Sequence, residues 1–252
     1  MSNSSVSVSS GEVGAANGAV EVGAGSGAVE VSVGSGAVEV SAGSEPNVIF
    51  DWDDTLLCSS WLDSMGFNLN TPDSEIEGIR SHLNILEEAA ANLLRRALIS
   101  SPKGVVIITN AELGWVELSC RKFIPKVLGI LSNITVVSAR STFEHQFPNA
   151  PDVWKAEAFR IKIREYFGDK PIDLRKDVLS FGDSIHERKA VHKATSTMGS
   201  STLTKSVKFV ERPTIEQLVR QQNLVASCLF EICKKDESLD LMLTIQLIYS
   251  SE

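Results

Sequence analysis

The sequence predicts an α/β protein: a Rossmann-like, three-layer α/β/α sandwich around a mainly parallel, five-stranded sheet. Three observations predict it. Short apolar runs of strand length, rich in Val, Ile and Phe, recur along the chain between turn residues. Stretches with helical periodicity separate them, the alternation expected of a parallel sheet covered by helices. Polar residues, carboxylates above all, follow the strands directly, and open α/β sheets bind ligands at that edge.

The first such strand, Val48 to Phe50, organises the rest. It is apolar and β-branched, and D-W-D-D-T follows it: Asp51, then Asp53, then Thr55 where the chain turns. The strand fixes the direction of Asp51, which can attack an electrophile such as phosphorus and form an acyl-phosphate. Asp53, two residues on, can protonate a departing oxygen and later take a proton from water. Two carboxylates so close resist joint ionisation, so one is expected to titrate high. An acidic turn after a strand is the competing reading.

The remaining elements follow in order. Leu56 to Pro72 mixes apolar and turn residues, with Trp61, Met65 and Phe67 as its large apolar side chains. A helix is expected from Ser74 or Glu75 to Leu98. Ile76, Ile79, Leu83, Leu86, Ala90, Leu93 and Ala97 share one face, and Asp73 or Ser74 is placed to cap its start. Val105 to Ile108 form a second buried strand with Thr109 at its tip. A hydroxyl there, beside the N–H groups that open a helix, suits a phosphoryl oxygen; T-N-A-E is also a capping sequence in its own right. Asn110 adjoins it as a candidate substrate-binding residue, as does Thr55.

One helix (Leu113 to Leu131), a strand (Ile134 to Val137) and a loop carrying Arg140 and His145 come next. A helix bearing Lys155, and Lys162 on the same face, continues to Tyr166. The strand Asp177 to Phe181 leads into G-D-S-I-H-E, with Asp183 at its tip and Glu187 one helical turn on. Lys205 to Val210 reads as the fifth strand. Pro213 to Leu224 reads as a helix with Pro in its first turn. Leu239 to Tyr249 alternates at period two and fits an added edge strand, a partner-binding segment or a frayed tail.

These four stations in order — D-W-D-D-T, the strand ending in Thr109, Lys155, and G-D-S-I-H-E — resemble the motifs of the haloacid dehalogenase-like (HAD) phosphohydrolases over Asn47 to Leu224. The resemblance implies strand order fifth, fourth, first, second, third. It implies Asp51 as nucleophile, Asp53 as general acid–base, Thr109 and Lys155 holding the phosphoryl group, and Mg²⁺ on Asp51, the Asp53 carbonyl, Asp183 and Glu187. Glu187 stands where the family has Asp and would act through a water. The resemblance further implies, after Thr55, a helical turn followed by a β-hairpin flap lined by Trp61, Met65 and Phe67. Neither inter-motif interval leaves room for a full cap domain. The implied function is Mg²⁺-dependent hydrolysis of a phosphorylated small molecule or protein at an open site. A non-catalytic scaffold of the same fold, and a phosphotransferase or phosphomutase, are the alternatives.

Composition bounds the rest. The chain has 252 residues, 43% of them hydrophobic, and a net charge of −8, which argues against general nucleic-acid binding. The four cysteines, Cys58, Cys120, Cys228 and Cys233, show no metal spacing and read as reduced thiols. His186 and His192 lack zinc-like partners. Neither a secretory signal nor a membrane-spanning run is expected, which predicts a soluble, cytoplasmic protein. Residues 1–45 are expected to form a disordered tail, 46–234 the catalytic domain, and 235–252 an extension. The tail carries a nine-residue repeat, G-A-V-E-V-x-x-G-S, starting at Gly18, Gly27 and Gly36. It is too poor in large apolar side chains to offset its ordering entropy.

Overall fold

In the computed structural model, residues 3–10, 45–168 and 173–248 are described. The chain starts with β1 (Asn3–Ser10). The organising strand is β2 (Asn47–Phe50), buried at every position. Then come α1 (Ser59–Ser64), α2 (Asp73–Ile76), a 3₁₀ turn and α3 (Arg80–Ser100). β3 (Val105–Thr109) is followed by α4 (Trp115–Phe123), a 3₁₀ turn at Pro125–Val127 and α5 (Leu128–Leu131). β4 (Thr135–Ser138), α6 (Ala139–Phe143) and α7 (Pro151–Phe167) complete the middle of the chain. Last come β5 (Lys176–Gly182), α8 (Ile185–Thr195), β6 (Thr202–Lys208), α9 (Ile215–Lys234) and β7 (Leu239–Ile248).

The strands form one sheet in the order β1-β7-β6-β5-β2-β3-β4. Its central five, β6-β5-β2-β3-β4, are parallel and follow the order expected from the sequence. β7 makes a sixth parallel strand beside β6, and β1 pairs antiparallel with β7. The sheet is therefore larger than the five strands expected, because α9 carries the chain back for another parallel pairing. Of the tail, Asn3–Ser10 is this outer strand. Residues 11–44, with the nine-residue repeat, lie outside the described residues.

Alternation along the buried strands builds two cores. Val48, Phe50, Val105, Ile107, Leu179 and Phe181 face α1, α3, α4 and α9. Ile49, Val106, Ile108 and Val178 face α6, α7 and α8. Strands apolar at every position are what a sheet covered on both faces requires. The Phe50 and Phe181 rings stack across β2 and β5, their centroids 4.9 Å apart.

Four expectations are corrected. The stretch after Thr55 is α1 and a loop, with no hairpin flap. Its Met65 is largely exposed, and Trp61 and Phe67 pack partly against the core. No side chain caps α2; Pro72 precedes it. The single helix expected over Leu113 to Leu131 breaks at Pro125, which has no N–H to donate. Pro213 lies before the cap of α9 and not in its first turn: Thr214 is the cap, in a reciprocal capping box with Gln217.

No separate domain interrupts β2–β3 or β3–β4. Among the described residues no helix is long and apolar enough to cross a membrane. All four thiols are free, and burial pushes those of Cys58 and Cys120 up to about 12.

The edge remote from the motif loops is locked by charge. Lys205, fully buried on β6, donates to Asp177 (2.7 Å) and to the Cys233 carbonyl (2.9 Å). Arg175 shares Asp177 and reaches Asp236. Removing one partner of a buried pair strands the other. Lys205→Met is therefore expected to destabilise the fold by about 3 kcal/mol, the low end of that effect because Arg175 still pairs with Asp177. Lys235→Met, at an exposed pair with Glu237, should leave the urea midpoint unmoved.

Candidate active site

Because β2, β3 and β5 are parallel, their carboxyl ends share one edge. Asp51 leaves β2 there, its N–H donating to the Phe181 carbonyl (2.8 Å), so the sheet ladder fixes its position. Thr109 ends β3, and Asp183 follows Gly182 at the end of β5. Lys155 arrives from the first turns of α7.

Lys155 joins the site together. Its ammonium is buried and bonds Asp51 Oδ1 (2.7 Å) and Glu187 Oε1. Glu187 spends its other oxygen on the Ser184 N–H (2.9 Å) and hydroxyl, the capping box that starts α8. Ser184-x-x-Glu187 is legible in the sequence as that box; Glu187 both caps the helix and enters the site. One carboxylate oxygen each from Asp51, Asp183 and Glu187 lie within 4.8 Å of one another, as a cation site requires. Lys162, the competitor on the same helix, instead pairs with Glu165.

The charges do not balance. Three carboxylates, −3 in all, face one ammonium, +1, which leaves −2 inside a largely dry cluster. Burial raises Asp51 well above the ordinary carboxylate range; Lys155 offsets this only in part, and Glu187 and Asp53 add to it. Burial, with Glu187 and Asp54 nearby, lifts Asp183 to about 7. Glu187 goes the other way: burial opposes its charge, but Lys155 and the Ser184 bonds prevail and lower it. Burial likewise works against the Lys155 ammonium, and the charges of Asp51 and Glu187 outweigh it and raise its pKa.

Asp53 stands apart from this cluster. Its carboxylate accepts from Trp115 Nε1 (2.9 Å) and from the Thr109 hydroxyl (3.2 Å). The sequence expected its carbonyl, not its carboxylate, at the metal. Thr109 also accepts from the Ala111 N–H (2.9 Å), closing a tight turn. It caps no helix, since α4 starts later, behind Gly114 in the left-handed region (φ 88°). Asn110 donates to the Pro151 carbonyl (3.1 Å), tying the β3 loop to the start of α7. Thr55 is fully buried and its hydroxyl has no hydrogen-bond partner among the described residues; its carbonyl and that of Leu56 accept from Gln222 Nε2 on α9. Arg140 pairs with Glu144 and Glu112, and His145 and His186 are exposed.

Sequence reasoning missed Trp115, Ser184 and Gln222. Trp115 resembles any apolar residue on an amphipathic helix, and its indole N–H leaves no periodic signal. Comparison with protein-family models, with curated proteins and with solved structures finds no match.

Two outcomes follow from this geometry. A cation on the cluster displaces the proton that Asp183 holds below about pH 7. Cation affinity should therefore fall with pH below 7, by about tenfold per unit for the Asp183 proton alone and more steeply where Asp51 is protonated as well, with matching proton release in calorimetry across buffers. Gly182 leaves no room for a side chain, because a Cβ there would collide with Glu187 Cβ and Cγ. Gly182→Ala should displace Glu187, weakening cation binding and lowering the unfolding midpoint together.

Proposed function

We propose that the chain is a Mg²⁺-dependent phosphomonoesterase that works through an aspartyl-phosphate, as the HAD resemblance suggests. The observation that carries this reading is the group of Asp51, Asp183 and Glu187, two of them paired with the buried Lys155, with its formal surplus of two negative charges at the carboxyl edge of the sheet. That surplus equals the charge of one divalent cation. The all-oxygen donor set suits a hard ion such as Mg²⁺, held by Asp51 and Asp183 with Glu187 beside them. When bound, it would neutralise Asp51 and polarise the phosphoryl oxygens.

This chain's own groups account for the remaining steps. Asp51 attacks phosphorus, and an oxygen–phosphorus bond forms as the bond to the leaving oxygen breaks. Asp53 gives that oxygen a proton. Water then attacks the phosphorus of the aspartyl-phosphate and returns its proton to Asp53, releasing inorganic phosphate and free Asp51. Lys155 stabilises negative charge on Asp51 and on the phosphoryl group. The Thr109 hydroxyl lies within reach of Asp53 and turns to the phosphoryl group once substrate is present. The Asp53 carboxylate is held by Trp115 and Thr109 outside the cation cluster, on the side where the leaving oxygen would lie.

The test is phosphate release from a generic aryl phosphate and from phosphopeptides, with and without Mg²⁺. Wild type should release phosphate only with the cation. Asp51→Asn should fold, as judged by its unfolding midpoint, and lose turnover by at least about 10³-fold, as expected when an attacking group is removed. Turnover by Asp51→Asn at the wild-type rate would overturn the assignment.

A further inference from the structure

Asp53 is tethered by a chain of bonds that begins inside its own motif. Trp52, fully buried between the two aspartates, donates Nε1 to Ser119 Oγ (2.9 Å). Ser119 donates to the Trp115 carbonyl (2.7 Å), which locks that turn of α4 in place. Trp115 then donates its own indole N–H to Asp53 (2.9 Å). The same Trp115 forms one wall of an open cleft of about 330 Å³.

The rest of the cleft is mixed, with aromatic walls. Leu57, Leu62, Phe67 and Phe123 line it with Trp115, Ser59, Ser60 and Asn68 add uncharged polar groups, and Asp63 is the one charged lining residue among the described residues. Its floor is continuous with the motif loop: the Asp54 N–H donates to the Leu57 carbonyl (2.7 Å), and the Ser60 N–H donates to Asp54 Oδ1 (2.9 Å). The volume is at the low end for ligand pockets, about 300–1,000 Å³, and suits one ring better than an extended chain.

We propose that this cleft is the leaving-group subsite and that it takes an aromatic group, making the substrate an aryl phosphate monoester. The inference rests on the phosphomonoesterase reading. A leaving oxygen that Asp53 protonates must lie on the Asp53 side of phosphorus. The group bonded to that oxygen then extends past Asp53 to Trp115 and into the cleft. A flat ring gains contact with Trp115, Phe67 and Phe123 there. No Lys or Arg lines the cleft, and Asp63 repels anions, so a leaving group with its own carboxylate or second phosphate is disfavoured.

The test measures kcat/KM with Mg²⁺ for phenyl phosphate, 4-carboxyphenyl phosphate, a phosphotyrosyl peptide and glycerol 3-phosphate, in wild type, Phe67→Ala and Asp63→Lys. Aryl phosphates are intrinsically more reactive, so the effect of each substitution decides and not the raw preference. Phe67→Ala should lower kcat/KM for phenyl phosphate about tenfold, mainly through KM, as loss of a pocket contact does. It should affect glycerol 3-phosphate by less than about twofold, since that leaving group gains little from an aromatic wall. Asp63→Lys, on an exposed side chain, should raise the ratio of 4-carboxyphenyl to phenyl phosphate several-fold, even if Phe67→Ala proves unstable. Turnover of the peptide with the same Phe67 dependence assigns the ring to a protein; turnover of phenyl phosphate alone assigns it to a small molecule. Equal effects of both substitutions on every substrate would overturn the subsite and leave the hydrolase reading standing. No hydrolysis of any substrate by folded wild type would overturn that reading, and the subsite with it.

Discussion

The Lys155 ammonium, buried between Asp51 and Glu187, is the interaction on which the site depends. Its three participants come from α7, β2 and α8, so the contact exists only if the parallel sheet brings those elements to one edge. Burying so much charge is costly unless every polar atom is paired. The pairing is close to complete: Lys155 satisfies one oxygen of each acid, and the Ser184 cap satisfies the other oxygen of Glu187. What is left over is the charge of Asp51 and Asp183, and burial, with neighbouring carboxylates adding to it, raises the pKa of both. A cluster of three carboxylates with a single ammonium is suited to a divalent cation.

The two aspartates of the motif are two residues apart, yet they belong to different environments. Asp51 faces the buried charge cluster. Asp53 is turned to Trp115 and Thr109. The residue between them, Trp52, points into the core and anchors α4 through Ser119. In the proposed reaction, one short stretch of sequence would supply an attacking group and a proton carrier, with Trp52 as the strut between them. Separate environments are what allow two nearby carboxylates to take different roles.

Much of this was legible in the sequence. β2, β3 and β5 stood out because strands buried on both faces are apolar throughout, and the spacing along α3 identified its inward face. Asp51, Lys155, Asp183 and Glu187 stand out from their sequence motifs and converge at one cluster. Other features had no local signal. Lys155 and Lys162 are the same residue type on one helix face, and only burial separates them. β7 alternates as an edge strand does, and a frayed tail can show the same pattern; its pairing with β6 and β1 is a long-range fact. The expected hairpin flap came from resemblance alone, and a loop follows α1 in its place. Trp115 was missed because its role is one indole N–H on an otherwise ordinary amphipathic helix.

Phosphorylation of Asp51 is the step that borohydride trapping detects. Full-length protein, quenched during turnover of an aryl phosphate with Mg²⁺ and then reduced with borohydride, should carry homoserine at position 51 in its peptide mass map, because reduction of an aspartyl-phosphate yields that residue. Phosphate release with position 51 left as aspartate, or with the modification on another carboxylate, would contradict the account.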